Sequence, residues 1–159
     1  WEAVYTANAR RLTRLAVLLV GESAAHDLVA DAVWRAVSSP GWRQVAAPDA
    51  YLTRSLVNLS HDRRRQAERR ERREQIAFAD RGGSPGHAGD VERSVVVRAA
   101  MSELGSEQLA VVFLHYWDDM TLAQVSDHLG IRLGTVRSHL HRAKQRLRPL
   151  LASEQEDML

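Results

Sequence analysis

Leu122 to Arg148 read LAQVSDHLGIRLGTVRSHLHRAKQRLR, and the reading of this stretch decides the fold. Leu122, Val125 and Leu129 recur at helical spacing and mark one apolar face. Thr121 stands just before them with Gln124 three residues on. That pair makes a capping box, in which threonine accepts from the Gln124 backbone and glutamine reaches back. Gly130 suits the left-handed position that ends a helix, because it has no Cβ to clash. After a short turn from Ile131 to Gly134, a second helical period starts at Thr135 and runs to about Leu147. Helix, glycine turn, helix is the helix-turn-helix pattern. Its second helix enters the major groove of duplex DNA while the first braces it. Here that second helix is divided accordingly. Val136, Leu140, Ala143 and Leu147 form an inward stripe, and Arg137, Ser138, His141, Arg142, Lys144, Gln145 and Arg148 face out. Arginine can bond a guanine edge with both arms, and the other cations suit phosphates. A basic amphipathic helix in an ordinary bundle is the plainer alternative.

The pattern stays helical outward from this stretch. Ser106 is placed to cap a helix carrying Leu109, Val112, Phe113 and Tyr116, which Asp118 and Asp119 end. Before that block, Gln75 to Asp90 crowd together Gly82, Gly83, Ser84, Pro85, Gly86 and Gly89, the composition of a flexible linker. Further upstream, Tyr5, Leu12, Leu15 and Leu19 stripe a first helix from Trp1 to Val20, stopped by Gly21. Leu28, Val29, Ala32, Val33, Ala36 and Val37 stripe a second, from Ser23 to Ser38. A loop through Trp42 leads to Asp49, a good N-cap, and to a third helix with a Leu52, Leu56, Leu59 seam. The expected fold is all-α: two small helical domains, 1–74 and 91–151, a flexible linker at 75–90 and a tail at 152–159.

Composition narrows the function. No apolar run in the 159 residues approaches the roughly 18 needed to span a bilayer. No basic, apolar, small-residue leader opens the sequence. A cytoplasmic protein without membrane attachment is expected, and because residue 1 is tryptophan its natural start is expected further upstream. Cysteine is absent, which removes disulfides and thiolate zinc sites. The net charge is only +2, but it is segregated. Arginine dominates Arg63 to Arg73, and Ile131 to Leu150 carry no acid. Two basic clusters point to polyanion contact at two places. No catalytic constellation accompanies them. Gly82 to Gly86 match the G-x-S-x-G pattern of serine hydrolases, yet Pro85 has no N–H to offer an oxyanion. His139 and His141 diverge on a helix instead of converging as i, i+4 ligands do. The chain is read as no enzyme, with no cofactor and no metal.

Several stretches resemble one known family. Leu122 to Arg148, and within it Gly134-Thr135-Val136-Arg137-Ser138 with His141-Arg142-Ala143, is similar to region 4 of extracytoplasmic-function sigma factors of the sigma-70 family. Phe113 to Thr121 resembles the lead-in to that region. Ala25 to Ala32 resembles the region 2 helix that docks on the polymerase clamp. Pro48 to Leu52, then Val57-Asn58-Leu59 and Asp62-Arg63, resembles the helix that holds the melted promoter strand. The similarity covers nearly all the chain outside the linker and tail.

The resemblance implies an alternative sigma factor. Its partners would be promoter DNA and core RNA polymerase, through the clamp of the largest subunit and the flap. In many family members an anti-sigma factor is a further partner. Thr135, Arg137, Ser138, His141, Arg142 and Lys144 would read the upstream element as duplex. Asn58, Asp62, Arg63 and Arg64 would hold the melted downstream strand. Asp27, Ala30, Asp31 and Trp34 would face the polymerase. Three positions depart from the family's common pattern: Ala30 stands where glutamine is frequent, Val33 where phenylalanine is, and His139 where arginine is. Ala30 bears on polymerase affinity and favours the alternative reading, a helix-turn-helix regulator that never joins polymerase.

Overall fold

The computed structural model describes residues 2–79, 101 and 103–156, with side-chain surroundings for 2–76, 101 and 103–149. Among these residues every regular element is helical. Helix α1 spans Glu2–Val20 and α2 spans Glu22–Ser38, separated by Gly21 alone. Gly21 has φ +82, a conformation that costs glycine little and lets two helices meet at a sharp corner. A short 3-10 turn at Trp42–Gln44 leads to α3, Pro48–Ala79. Then come α4 at Ser106–Tyr116, α5 at Leu122–Leu129 and α6 at Leu133–Glu156.

The amino-terminal helices bury the residues their periodicity marks. Leu12, Leu15, Leu28, Leu52, Leu56 and Leu59 are all buried where α1, α2 and α3 pack together. Tyr5, expected on the α1 stripe, lies 36% exposed near the free end of that helix. Asp49 is not the cap of α3. Pro48 occupies the first helical position, where its missing N–H costs nothing, and Ala47 supplies the first carbonyl, to Tyr51 N at 3.0 Å. Asp49 therefore sits in the first turn, where the helix dipole favours an acid. The helix continues to Ala79, five residues past position 74, because Arg, Glu and Ala sustain it.

Helix α4 differs from its neighbours in being buried on every side. Leu109, Ala110, Val111, Val112, Phe113 and Leu114 are each at most 5% exposed. Its apolar face is thus wider than the Leu109, Val112, Phe113, Tyr116 series, and Tyr116 itself is 52% exposed. Gly105, not Ser106, caps it, and the Gln108 amide oxygen accepts from Gly105 N at 3.4 Å. Ser106 is instead buried. Helix α4 meets α5 and α6 on one side and α1 and α3 on the other, so the buried residues of both halves form one contiguous cluster. The stretch 80–100, which holds most of the expected linker and the G-x-S-x-G match, lies outside the described residues.

The last helix is longer at both ends than its sequence suggests. It begins at Leu133, so Gly134 lies in its first turn, and it runs through Pro149 to Glu156. Proline there removes the bond to the Gln145 carbonyl. Leu150, Leu151, Ala152, Glu154 and Gln155 are strong helix formers that carry the helix past it.

The corner between α5 and α6 yields a stability prediction. Gly130 has φ +67, and a Cβ added there would lie 3.3 Å from Arg54 Nη1. Gly130→Ala is expected to lower stability by about 1–2 kcal/mol, the cost of a left-handed L-residue. The measurement is the urea midpoint at constant helix content, and an unchanged midpoint would contradict this account of the corner.

Candidate nucleic-acid interface

The helix-turn-helix is built as its caps dictate. Gln124 N donates to Thr121 Oγ1 at 3.2 Å, and Thr121 N donates to Gln124 Oε1 at 2.8 Å. Gly130 closes α5 in the left-handed conformation, and Ile131 N returns to Ser126 O at 3.2 Å. Ser126 Oγ donates to Ile131 O at 2.6 Å and stiffens the same turn. Val125, Val136, Leu140 and Ala143 are buried between α5, α6 and α4. Arg146 Nη1 donates to Glu103 O at 2.5 Å and ties α6 to the start of its own half.

With that stripe buried, the opposite face of α6 is open. Thr135, Arg137, Ser138, His141, Arg142 and Lys144 are all exposed and share one side of the helix. They form a basic surface with two hydroxyls near its amino end, suited to phosphates and base edges together. His139 does not belong to it. It is half-buried, and its Nδ1 is enclosed with no hydrogen-bond partner.

The amino-terminal candidates fall on two adjacent helices. Asp27, Ala30, Asp31 and Trp34 lie on the exposed side of α2, with Trp34 71% exposed beside two carboxylates. Val33 is buried on the other side, so valine in place of phenylalanine is a packing change. On α3, Asn58 and Asp62 are exposed one turn apart. Arg63 turns away from them and pairs with Asp31 of α2. Arg64 donates to the Leu104 carbonyl at 2.6 Å and lies 3.4 Å from Glu68. The four strand-binding candidates therefore do not form one patch: two are free, one is tied to α2 and one to the second half. Trp42, in the loop before α3, packs edge-on against Tyr51 with ring centroids 5.8 Å apart.

Sequence reasoning missed a polar cluster between the halves. The Arg11 guanidinium reaches Asp118 Oδ2 at 2.5 Å, Thr53 Oγ1 at 3.0 Å and His128 Nε2 at 3.1 Å. His128 is buried, and burial is the main cause that pushes its pKa below the ordinary 6.5, with Arg11 next. Its only signal in the sequence is a histidine beside Leu129 on an apolar-faced helix. Asp118 and Asp119 do end α4, and Asp119 adopts φ +52, but Asp118 also has this distant partner. Among the described residues no three His, Asp or Glu side chains gather as a metal ion would need, and no helix is long and apolar enough to cross a membrane.

Two family models match the chain. Residues 4–70 match the family model of sigma-70 region 2, and residues 94–147 match that of sigma-70 region 4. The chain is 32% identical over 154 residues to the ECF RNA polymerase sigma factor SigL of Mycobacterium tuberculosis, covering 92% of this chain and 85% of the relative. It is 32% identical over 137 residues to the RNA polymerase sigma-E factor of Streptomyces antibioticus, covering 84% and 73%. Among solved structures, the sigma factor RpoE of Bartonella quintana, determined in complex with the anti-sigma factor NepR, shares the fold. The TM-score is 0.63 at 20% identity, over 95% of this chain and 96% of that one. With both regions in order and relatives this similar over most of their length, the chain belongs to the extracytoplasmic-function sigma factors of the sigma-70 family.

Proposed function

We propose that this chain joins core RNA polymerase and directs it to promoters, with α6 reading the upstream element and α3 holding the melted downstream strand. The observation that carries this reading is the presence of both regions in one chain. A regulator acting from duplex DNA alone needs the helix-turn-helix and has no use for region 2. Region 2 supports the cost of strand capture. Unstacking a base takes a few kcal/mol, recovered by a pocket and by neutralised phosphates. Asn58, Asp62, Arg63 and Arg64 are the candidate contacts there, and Asp27, Ala30, Asp31 and Trp34 are the candidate clamp surface. In the upstream element, Thr135, Arg137, Ser138, His141, Arg142 and Lys144 are the candidate contacts. The flap of the polymerase is a further candidate partner, and so is an anti-sigma factor, the class of protein bound in the Bartonella quintana complex. RNA synthesis belongs to the polymerase, so this chain is no enzyme, and it acts in the cytoplasm. The direct test is initiation by purified protein with core polymerase on a promoter library. Duplex binding without any initiation would favour the stand-alone regulator.

Arg142→Ala is expected to weaken binding to the upstream element and to relax discrimination there by about 1–3 kcal/mol, the worth of a bidentate base contact. Titrations of a promoter duplex and a scrambled one measure it, and equal losses on both would reduce Arg142 to a phosphate contact. Asp31→Arg is expected to impair capture of core polymerase. Because Arg63 pairs with Asp31, Arg63→Gln is the control, expected to spare polymerase binding and to weaken binding of the melted strand. Capture of polymerase at full strength by Asp31→Arg would remove α2 from the docking surface.

A further inference from the structure

The junction between the two halves combines an apolar contact, which does not respond to pH, with a part-buried polar one that contains a titratable ring. A single guanidinium organises the polar part. Arg11 of α1 donates from Nε to Asp118, from Nη1 to Thr53 of α3 and from Nη2 to His128 of α5. Arginine has no acceptor, so the 3.1 Å contact requires a lone pair on His128 Nε2. His128 is therefore neutral here, with its proton on Nδ1. Thr53 Oγ1 lies 3.1 Å from the same nitrogen and can donate its hydrogen to Asp49 O, 2.9 Å away. Thr53 Oγ1, which already accepts from Arg11 Nη1, has one lone pair left for a proton on Nε2, while the Arg11 N–H on the other side has none to offer.

We infer that Arg11, Thr53, Asp118 and neutral His128 form a latch between the two halves, and that protonation of His128 releases it. A proton on Nε2 would point into the N–H of Arg11 and bring a second positive charge beside a guanidinium. The charged groups facing His128 are Arg11 from α1, Asp49 and Arg54 from α3, and Asp118 from the turn after α4. Asp127 on α5 shares the shallow cavity beside it. The two carboxylates of Asp49 and Asp118 favour the protonated ring, while Arg11 and Arg54 oppose it. Asp118 is already engaged by Arg11 at 2.5 Å, and burial adds to the opposing side.

The sign follows from linkage. In the closed form the pKa of His128 lies below 6.5, and in the open form the ring returns to that ordinary value. The open form therefore binds more protons below pH 6.5. Closure is undisturbed above that value and weakens as pH falls through it. The open-to-closed ratio rises up to tenfold per pH unit until His128 protonates in the closed form as well. His61 of α3 also lies at the junction, 3.7 Å from Glu107 of α4. Both partners are more than two-fifths exposed, so that pair is screened by water and worth little. Opening also frees Arg64 from the Leu104 carbonyl, returning a cation to the outer surface of α3.

The chain has no cysteine, so two labels can be placed without background. Dyes at Arg35→Cys and Gln145→Cys, both on exposed positions, report the distance between the halves in the full chain. Energy transfer is expected to fall between pH 7.5 and 5.5 while circular dichroism shows the helices intact. His128→Gln should abolish that fall, because an amide oxygen accepts from Arg11 and does not titrate. Constant transfer in the otherwise native chain, or the same fall in His128→Gln, would overturn the inference. Should His128→Gln fail to fold, the ring proton of His128 followed by NMR in the native chain decides the matter. A midpoint below pH 6.5 that coincides with opening supports the latch, and a midpoint at or above 6.5 refutes it.

Discussion

Leu109 to Leu114 cannot be left in water on any side. Every residue of this run is apolar, so α4 has no polar face to turn outward, and a helix of that kind must be covered all round. Helices α5 and α6 cover one side and complete the helix-turn-helix. The other side needs a partner, and α1 and α3 supply it, which makes the buried residues of the two halves continuous. At roughly 25 cal/mol per Å² of apolar surface removed from water, a few covered aliphatic side chains offset the entropy of holding the halves together. The polar groups at the same junction contribute less energy but fix its geometry. Arg11 can satisfy Asp118, Thr53 and His128 together in one docking pose only, whereas apolar surfaces can slide.

Much of the fold was legible because its signals are local. Thr121 with Gln124, Gly130 and the Val136, Leu140, Ala143 stripe are read from neighbours a few residues away, and each took the place its chemistry requires. The exposed face of α6 followed directly, since a helix with one buried stripe presents the other. Helix starts were harder. Asp49 and Ser106 are good capping residues, but Pro48 sets the first turn of α3 two residues earlier, and Gly105 sets that of α4 one residue earlier. The contacts between halves were not legible at all. Arg11 and Asp118 are 107 positions apart, and nothing in either neighbourhood encodes the other. The fourfold strand-binding group was drawn from a linear resemblance, which says nothing about side-chain direction. Arg63 and Arg64 are consecutive on a helix, so they point about 100° apart and meet different neighbours.

That divergence links surfaces that the sequence lists separately. Arg63 joins α3 to Asp31 of α2, a residue of the proposed polymerase surface, and Arg64 joins the same helix to the second half. A cation cannot satisfy a carboxylate and a phosphate equally well at the same moment. Binding at one surface therefore changes what the neighbouring arginine has to give up at the next.

Helix α3 has a mechanical consequence of its own. Its last fully enclosed side chain is Ser60, yet the helix continues to Ala79. Beyond Arg64 it is a rod clamped at one end, about 22 Å long at 1.5 Å per residue. Tilting it by about 10° where it is clamped would carry its tip roughly 4 Å, a distance comparable to the spacing between neighbouring groups on a nucleic-acid strand. A lever arm of this length turns small adjustments of packing around Leu56 and Ser60 into a change of register at the far end. The arginines are strung along the arm, so those nearest its tip would travel farthest.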